Sequence, residues 1–164
     1  MENPFISVVI PAFNEQDRIG DTVTGIMAYL DQKPFTWEIL VIDDGSNDKT
    51  YQVIDEISSG TEVSVNILSI QHGGKGWAVK NGMLAARGEY RFMADADMAM
   101  PVDQLDRFLK FIEEGYDIVI GSRQMAGSRR FSEPRSRHLM GRIFNWLVQI
   151  LAIKGFQDTQ CGFK

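Results

Sequence analysis

The sequence predicts an α/β domain: a mainly parallel sheet with helices on both faces. Three observations lead there. Short apolar runs rich in β-branched residues alternate along the chain with segments of helical periodicity. Alternation of this kind places parallel strands in one sheet with crossover helices on its faces. Each run also ends in a polar cluster, and ligands of open α/β sheets sit beyond the carboxyl ends of the strands.

Taken in order, Phe5 to Ile10 reads as a buried strand and Arg18 to Leu30 as a helix. Trp37 to Ile42 is a second strand, and Asn47 to Ile57 a helix with Ser46 or Asn47 as its N-cap. Val63 to Ile70 is a third strand, followed by a helix from Lys75 to Ala86. Glu89 to Ala94 is a fourth strand, and Pro101 suits the first turn of a helix running to Glu114. Tyr116 to Ile120 reads as a fifth strand, and Ser136 to Lys154 as a long amphipathic helix.

Composition narrows the possibilities. With 164 residues, 44% hydrophobic and 24% charged, the chain has enough for one domain with a core, and an apolar fraction too ordinary for a disordered segment. Cys161 is the lone cysteine, which excludes an internal disulfide and fits a reducing compartment. The N-terminus shows no signal peptide, and no apolar stretch reaches the ~18–20 residues of a spanning helix. The net charge of -5 argues against general nucleic-acid binding. Against that acidic background, Arg123, Arg129, Arg130, Arg135, Arg137 and Arg142 form a basic island containing a single acid, Glu133. Such an island suits either an anionic partner or a solvated loop.

The chemistry-bearing clusters all fall at strand ends. Asp95-Ala96-Asp97 follows the fourth strand. Carboxylates are hard oxygen ligands suited to Mg²⁺ or Mn²⁺, and i, i+2 acids in extended backbone project to one side. A metal held there would stabilise a diphosphate leaving group; an ordinary acidic loop is the plainer alternative. Asp43-Asp44-Gly45-Ser46 follows the second strand, where acids can accept hydrogen bonds from base or ribose, or form a turn with Gly45 at positive φ. His72-Gly73-Gly74-Lys75-Gly76 brings backbone N–H groups and an ammonium within reach of phosphate, although a helix-capping glycine loop would look the same. It is not a P-loop, because no Gly-Lys-Ser/Thr is present. The first strand leads into Pro11-Ala12-Phe13-Asn14-Glu15 rather than a G-x-G-x-x-G loop, which disfavours a nicotinamide-dependent dehydrogenase. Downstream, Leu139, Met140, Ile143, Phe144, Leu147, Ile150 and Leu151 make an apolar helix face that suits a bilayer surface or a core equally.

In order and spacing, Val9-Ile10-Pro11-Ala12-Phe13-Asn14-Glu15, Asp43-Asp44-Gly45-Ser46, Gly74-Lys75-Gly76, Asp95-Ala96-Asp97 and Gly121-Ser122-Arg123 resemble the family 2 inverting glycosyltransferases of GT-A (Rossmann-like) fold. The resemblance covers nearly the whole chain. Arg137-His138-Leu139-Met140-Gly141-Arg142 and Asp158-Thr159-Gln160-Cys161-Gly162-Phe163-Lys164 are similar to the dolichyl-phosphate glucosyltransferase and mannosyltransferase branch, the glucosyl type more closely.

The resemblance implies transfer of glucose or mannose, with inversion, from a UDP- or GDP-hexose to a polyprenyl (dolichyl-type) phosphate. Pro11, Ala12, Phe13, Glu15, Asp43, Asp44, Lys75, Asp95 and Ala96 would bind the nucleotide sugar, with Pro11, Phe13 and Glu15 bordering the base and Asp44 reading the nucleoside. Asp95 and Asp97 would hold Mg²⁺ or Mn²⁺, and Arg123 and Arg137 the acceptor phosphate; Asp97 and Arg123 are the implied catalytic residues. Mannosyl-type relatives often carry a glutamine two residues after the second Asp, where this chain has Ala99. The implied location is peripheral, on the cytoplasmic face of a membrane. Because the chain stops at Lys164 inside what resembles a motif, the expectation is one catalytic domain over residues 1–164, cut short at its C-terminal end. A family 2 enzyme acting on a sugar or polysaccharide hydroxyl, or a non-catalytic nucleotide-sugar-binding module, are the alternatives.

Overall fold

The first strand, β1 (Ile6–Ala12), is buried along its whole length and forms the middle of the sheet. The computed structural model describes residues 3–60, 64–97, 101–122, 146 and 148. On one side β1 pairs in parallel with β2 (Trp37–Asp43), in a register running from Ile6 opposite Trp37 to Ala12 opposite Asp43. On the other it pairs in parallel with β4 (Tyr90–Met93), but only from Ile6 to Val9. β3 (Val65–Ser69) lies beyond β2, giving a four-stranded order β3-β2-β1-β4. The order reverses between β1 and β4, and β1 runs on to Ala12 past its last β4 partner. That step marks the topological switch point, and open α/β sheets bind ligands beyond the carboxyl strand ends there.

Period-two side-chain alternation decides which helix covers which face. Ile6, Val8, Ile10 and Ala12 of β1, with Ile39 and Val41 of β2, join one core cluster. Against them pack Ile19, Val23, Ile26 and Leu30 of α1 (Ile19–Leu30), a stripe at helical spacing. Ile54 of α2 (Thr50–Ser59) and Leu105 and Phe108 of α4 (Leu105–Glu113) complete that face. Full burial of each such side chain contributes about 1.5–3 kcal/mol. The opposite face, Val9, Leu40 and Ile42, is covered by Ala78 and Ala86 at and just beyond α3 (Lys75–Ala85). α3 sits close to the sheet because Gly82 has no side chain: a Cβ there would lie 2.3 Å from Val9 Cγ1 and 2.8 Å from Ile42 Cγ1. Helices on both faces of a parallel sheet are thus present as the sequence predicts.

Two polar networks fix the frame. Between α1 and α4, Lys33 Nζ reaches both carboxylate oxygens of Asp106 at 2.7 and 2.9 Å, and Tyr29 Oη donates to the same group at 2.6 Å. The hydrogen bond from Lys33, then that from Tyr29, hold the Asp106 carboxyl below its ordinary range. At the amino-terminal end of the sheet, Ser7 Oγ and the Arg87 N–H donate to Glu38 Oε1 at 2.6 and 2.8 Å, while the Arg87 guanidinium takes Oε2. The Gly88 N–H donates to Ser7 Oγ at 2.7 Å, closing the network. Burial opposes ionisation of Glu38, but the bonds from Ser7 and Arg87 outweigh it and hold its carboxyl below the ordinary range.

The structure departs from the sequence reading at several points. Tyr116 to Ile120 is not a strand: after Gly115, at φ +91°, the chain leaves α4 with Tyr116 and Ile118 exposed, and it pairs with no strand among the described residues. The helix expected from Pro101 begins as a 3-10 turn at Val102–Gln104 before α4. Neither Ser46 nor Asn47 caps α2: its N-cap position is Lys49, which gives no side-chain cap, and Asp48 just before it accepts from the Thr50 N–H at 2.9 Å. Of the helix expected over Ser136 to Lys154, Trp146 and Val148 alone are described, and both are helical.

Candidate active site

The loops leaving β1 and β2 are bonded into one unit. Asn14 takes φ +55°, a region that asparagine tolerates better than most residues. In that conformation its N–H donates to Ser46 Oγ at 3.0 Å, and its Oδ1 accepts from the Asn47 N–H at 2.8 Å. The Glu15 N–H donates to Thr50 Oγ1, the Gln16 N–H to Asp48 Oδ2, and the Lys49 N–H to Gln16 Oε1. Pro11 and Ala12 lie buried in β1, and the Ala12 carbonyl accepts from the Asp44 N–H at 2.9 Å. Glu15 uses its carboxylate on Arg18, with Arg18 Nη2 at 2.6 Å. Phe13, 40% exposed, is left facing outward from this scaffold.

The β2 loop is in turn bonded to the loop after β3. Where the sequence reading turns Asp43 and Asp44 toward a ligand, the structure buries both and occupies their oxygens with protein groups. Asp43 accepts from the Ser46 N–H at 3.0 Å and from Ser69 Oγ at 3.3 Å. Asp44 accepts from the Gly73 N–H at 2.9 Å and the Gly74 N–H at 2.8 Å, one on each carboxylate oxygen. His72 Nδ1 lies 2.9 Å from both the Asp44 carbonyl and Asp44 Oδ2. Both partners are acceptors, so Nδ1 carries the ring proton. The His72 ring stacks on Phe13, centroids 4.3 Å apart at 29°. Gly45 at φ +71° allows the close approach, since a Cβ there would meet the His72 amide nitrogen at 3.1 Å.

Gly74, at φ +87°, turns the chain into α3, whose first residue is Lys75. Lys75 Nζ reaches across to Asp95 Oδ1 at 2.6 Å. The extended backbone expected through Asp95-Ala96-Asp97 ends early: β4 stops at Met93, and Ala96 and Asp97 lie in a turn. Ala96 is buried and its carbonyl accepts from Thr22 Oγ1 at 2.7 Å. The flanking acids are accessible, Asp95 half-buried and Asp97 exposed.

Among the described residues, no group of three or more His, Cys, Asp or Glu is arranged to hold a metal. Two accessible carboxylates nevertheless fit Mg²⁺, which binds through one or two carboxylates and completes its shell with phosphate oxygens and water. The structure therefore brings the strand-end residues Phe13, Asp44, Lys75, Asp95 and Asp97 around the carboxyl edge of one sheet. Arg123 and Arg137 lie outside the described residues. Sequence reasoning passed over Asp48, Thr50 and Thr22, and gave Asn14 and Ser46 no part in bonding one loop to the next. The available signal was a run of hydroxyl and amide side chains just after strands, the residue types that bond nearby backbone.

Residues 7–163 match the family described as glycosyl transferase family 2. The chain belongs to that family. Among curated members, it is 36% identical over 177 residues to a dolichyl-phosphate beta-glucosyltransferase of Dictyostelium discoideum, covering 100% of this chain and 54% of that one. The enzyme of the same name from Homo sapiens is 35% identical over 176 residues, covering 97% of this chain and 53% of its own. This family 2 chain thus spans about half the length of the curated relatives it matches.

Solved structures agree on the GT-A architecture. A mannosyltransferase from Pyrobaculum calidifontis, in complex with GDP-Man and Mn²⁺, superposes with TM-score 0.57 at 22% identity, covering 68% of this chain and 33% of that one. Glucosyl-3-phosphoglycerate synthase from Mycobacterium tuberculosis, in complex with UDP, gives TM-score 0.52 at 26% identity, covering 70% and 41%.

Proposed function

We propose that this family 2 chain is the donor-binding part of a glucosyltransferase that moves glucose, with inversion, from a nucleoside-diphosphate sugar to a dolichyl-type polyprenyl phosphate. The observation that carries the reading is the meeting of Lys75 with Asp95 beyond the carboxyl ends of the strands, the edge of the sheet that also carries the exposed Asp97 and Phe13. A cation for phosphate, accessible carboxylates and an aromatic face are what a nucleoside diphosphate needs. The names of the relatives add glucose over mannose and dolichyl phosphate as acceptor. UDP in the Mycobacterium tuberculosis neighbour favours uridine as the base.

In this reading Phe13 and Glu15 border the base and Lys75 meets the diphosphate. Asp95 and Asp97 would hold Mg²⁺ or Mn²⁺, which would neutralise charge on the leaving group. An oxygen of the acceptor phosphate attacks the anomeric carbon from the face opposite the leaving diphosphate; the bond from that carbon to the diphosphate oxygen breaks, and the nucleoside diphosphate leaves. A phosphate monoester is already anionic at pH 7, so the step needs no strong base, and the protein's work is positioning and charge relief. Arg123 and Arg137 supply the fork that holds the acceptor phosphate. The basic island and the apolar run from Leu139 to Leu151 suit a peripheral position on the cytoplasmic face of a membrane. No helix among the described residues is long and apolar enough to cross one.

The deciding experiment uses the full-length protein with UDP-glucose and GDP-mannose as donors, and dolichyl phosphate or a free sugar as acceptors, with Mn²⁺. Transfer of glucose to dolichyl phosphate is the expected result. Transfer to a sugar hydroxyl alone would overturn the acceptor, and donor binding without turnover would make the chain a binding module.

A further inference from the structure

We infer that Thr22, on α1, is a positioning residue for the Asp95-Ala96-Asp97 turn, and through it for the divalent ion that the two acids would hold. The inference rests on the reading above that Asp95 and Asp97 are the metal ligands. Beyond β4 the side chains keep alternating. Ala94 and Ala96 are buried in the core cluster that α1 covers, while Asp95 is half-buried and Asp97 exposed. The Ala94 N–H still donates to the Val9 carbonyl at 3.0 Å, but the register with β1 ends at Met93. Two residues on, the turn is held from α1 instead: Thr22 Oγ1 donates to the Ala96 carbonyl at 2.7 Å, a buried bond between residues 74 apart in the chain. This is not the usual employment of a helical threonine, which returns its hydroxyl proton to a carbonyl one turn back. Thr24 on the same helix does that, donating to the Gly20 carbonyl at 2.8 Å. Thr22 gives its proton to the residue that separates the two acids. Tyr29 of α1, and Lys33 just after it, bind Asp106 in the first turn of α4, so α1 holds the chain leaving β4 at a second point further on. A carbonyl fixed between two carboxylates sets the direction in which each leaves the backbone, and groups behind metal ligands tune affinity in this way.

Valine at this position keeps the shape but removes the donor, leaving the buried Ala96 carbonyl unpaired; serine keeps the donor. Calorimetric titrations of the full-length protein with UDP, in EDTA and across a series of Mn²⁺ concentrations, read the ion's contribution apart from the nucleotide's. In Thr22→Val the Mn²⁺ concentration giving half of the gain in UDP affinity should rise about tenfold, the order seen when a partner behind a metal ligand is lost. UDP affinity in EDTA should not change, and Thr22→Ser should match the parent in both conditions. Lys33→Met, which loosens α1 from α4 and leaves the turn alone, should keep the parent's Mn²⁺ dependence. Parent-like Mn²⁺ dependence in Thr22→Val would make the bond a structural one and overturn the inference, whatever the melting temperature. An equal shift in Lys33→Met would overturn it as well, since the cause would then be a general loosening of α1. So would a fall in UDP affinity in EDTA, which would put the effect on the nucleotide loops. If Thr22→Val does not fold, Thr22→Ala removes the same donor and carries the same expectations. A parent whose UDP affinity ignores Mn²⁺, or an Asp97→Asn variant that keeps the parent's Mn²⁺ dependence, would instead overturn the metal reading itself, and this inference with it.

Discussion

Lys75 Nζ stands 2.6 Å from Asp95 Oδ1, joining the first residue of α3 to the acid that follows β4. The two side chains are 61% and 27% exposed, so the pair contributes only about 0–1 kcal/mol to stability. Its value lies in placing one cation and one carboxylate where a metal diphosphate would need both. Lys75→Met should therefore leave the melting temperature almost unchanged while nucleoside diphosphate binds about 10- to 100-fold more weakly. Raising salt should narrow the difference between parent and variant. A large fall in melting temperature would show that the ion pair holds the fold rather than the ligand.

Asp97 offers the complementary test. It is exposed, in the turn after β4. Asp97→Asn should stay within about 0.5 kcal/mol of the parent in stability, as surface substitutions do. It should lose the gain in nucleotide affinity that Mn²⁺ gives. Equal Mn²⁺ dependence in variant and parent would remove Asp97 from the metal site.

Phe13 addresses the base. Its ring is 40% exposed and stacked on His72 at 4.3 Å. Phe13→Ala should weaken UDP by about 1–3 kcal/mol, the range measured for base–aromatic stacking, with inorganic diphosphate unaffected. Loss of both ligands together would mean that Phe13 supports the loops instead.

Much of this arrangement was legible in the sequence because the strands are apolar and the polar residues begin where they end. Phe5 to Ile10 and Trp37 to Ile42 read as buried strands, and Asp95 and Lys75 as strand-end and loop residues, from local pattern alone. The employment of Asp44 was not legible. A strand-end acid has the same local pattern whether it faces a ligand or backbone N–H groups about thirty residues away, and only the fold brings Gly73 and Gly74 to it. Tyr116 to Ile120 misled for the opposite reason. Its apolar residues suit a strand, but strand formation depends on a partner's free edge, which local pattern does not record. The close approach of Gly82 to Val9 and Ile42 is again non-local, so helical pattern alone does not reveal it.

That glycine gives a stability test. On helix propensity alone, Gly82→Ala should stabilise α3 by about 1 kcal/mol. The new Cβ would instead press on Val9 and Ile42, both fully buried in a sheet that cannot easily retreat. Overpacking of this kind costs about 1–3 kcal/mol, so the net result should be destabilisation, read as a lower denaturant midpoint. Gly25 is the internal control. It lies in α1 and a Cβ there meets nothing within 4 Å, so Gly25→Ala should stabilise.

Glu38 connects the frame to pH. Its carboxylate is the common acceptor for Ser7, the Arg87 N–H and the Arg87 guanidinium at the amino-terminal end of the sheet. Burial disfavours its charge, yet the bonds from Ser7 and Arg87 prevail and its carboxyl lies below the ordinary range in the folded protein. The folded state therefore binds this proton less readily than the unfolded chain. The sign follows from linkage: the contribution is fully present above the ordinary glutamate pKa of about 4.3 and is lost as pH falls through the lower folded value. Glu38→Gln puts an NH₂ among groups that are themselves donors, which should cost about 1–3 kcal/mol at pH 7. The penalty should be the same at pH 6, shrink below about pH 4, and nearly vanish in more acid solution, where the parent's carboxyl is also neutral. Denaturant unfolding of both proteins across that range measures it. Ligand binding at pH 7 should be untouched, since the network lies far from Lys75 and Asp95. A penalty that stayed constant down to acid pH would mean that the ionised carboxylate contributes nothing at this end of the sheet beyond its shape.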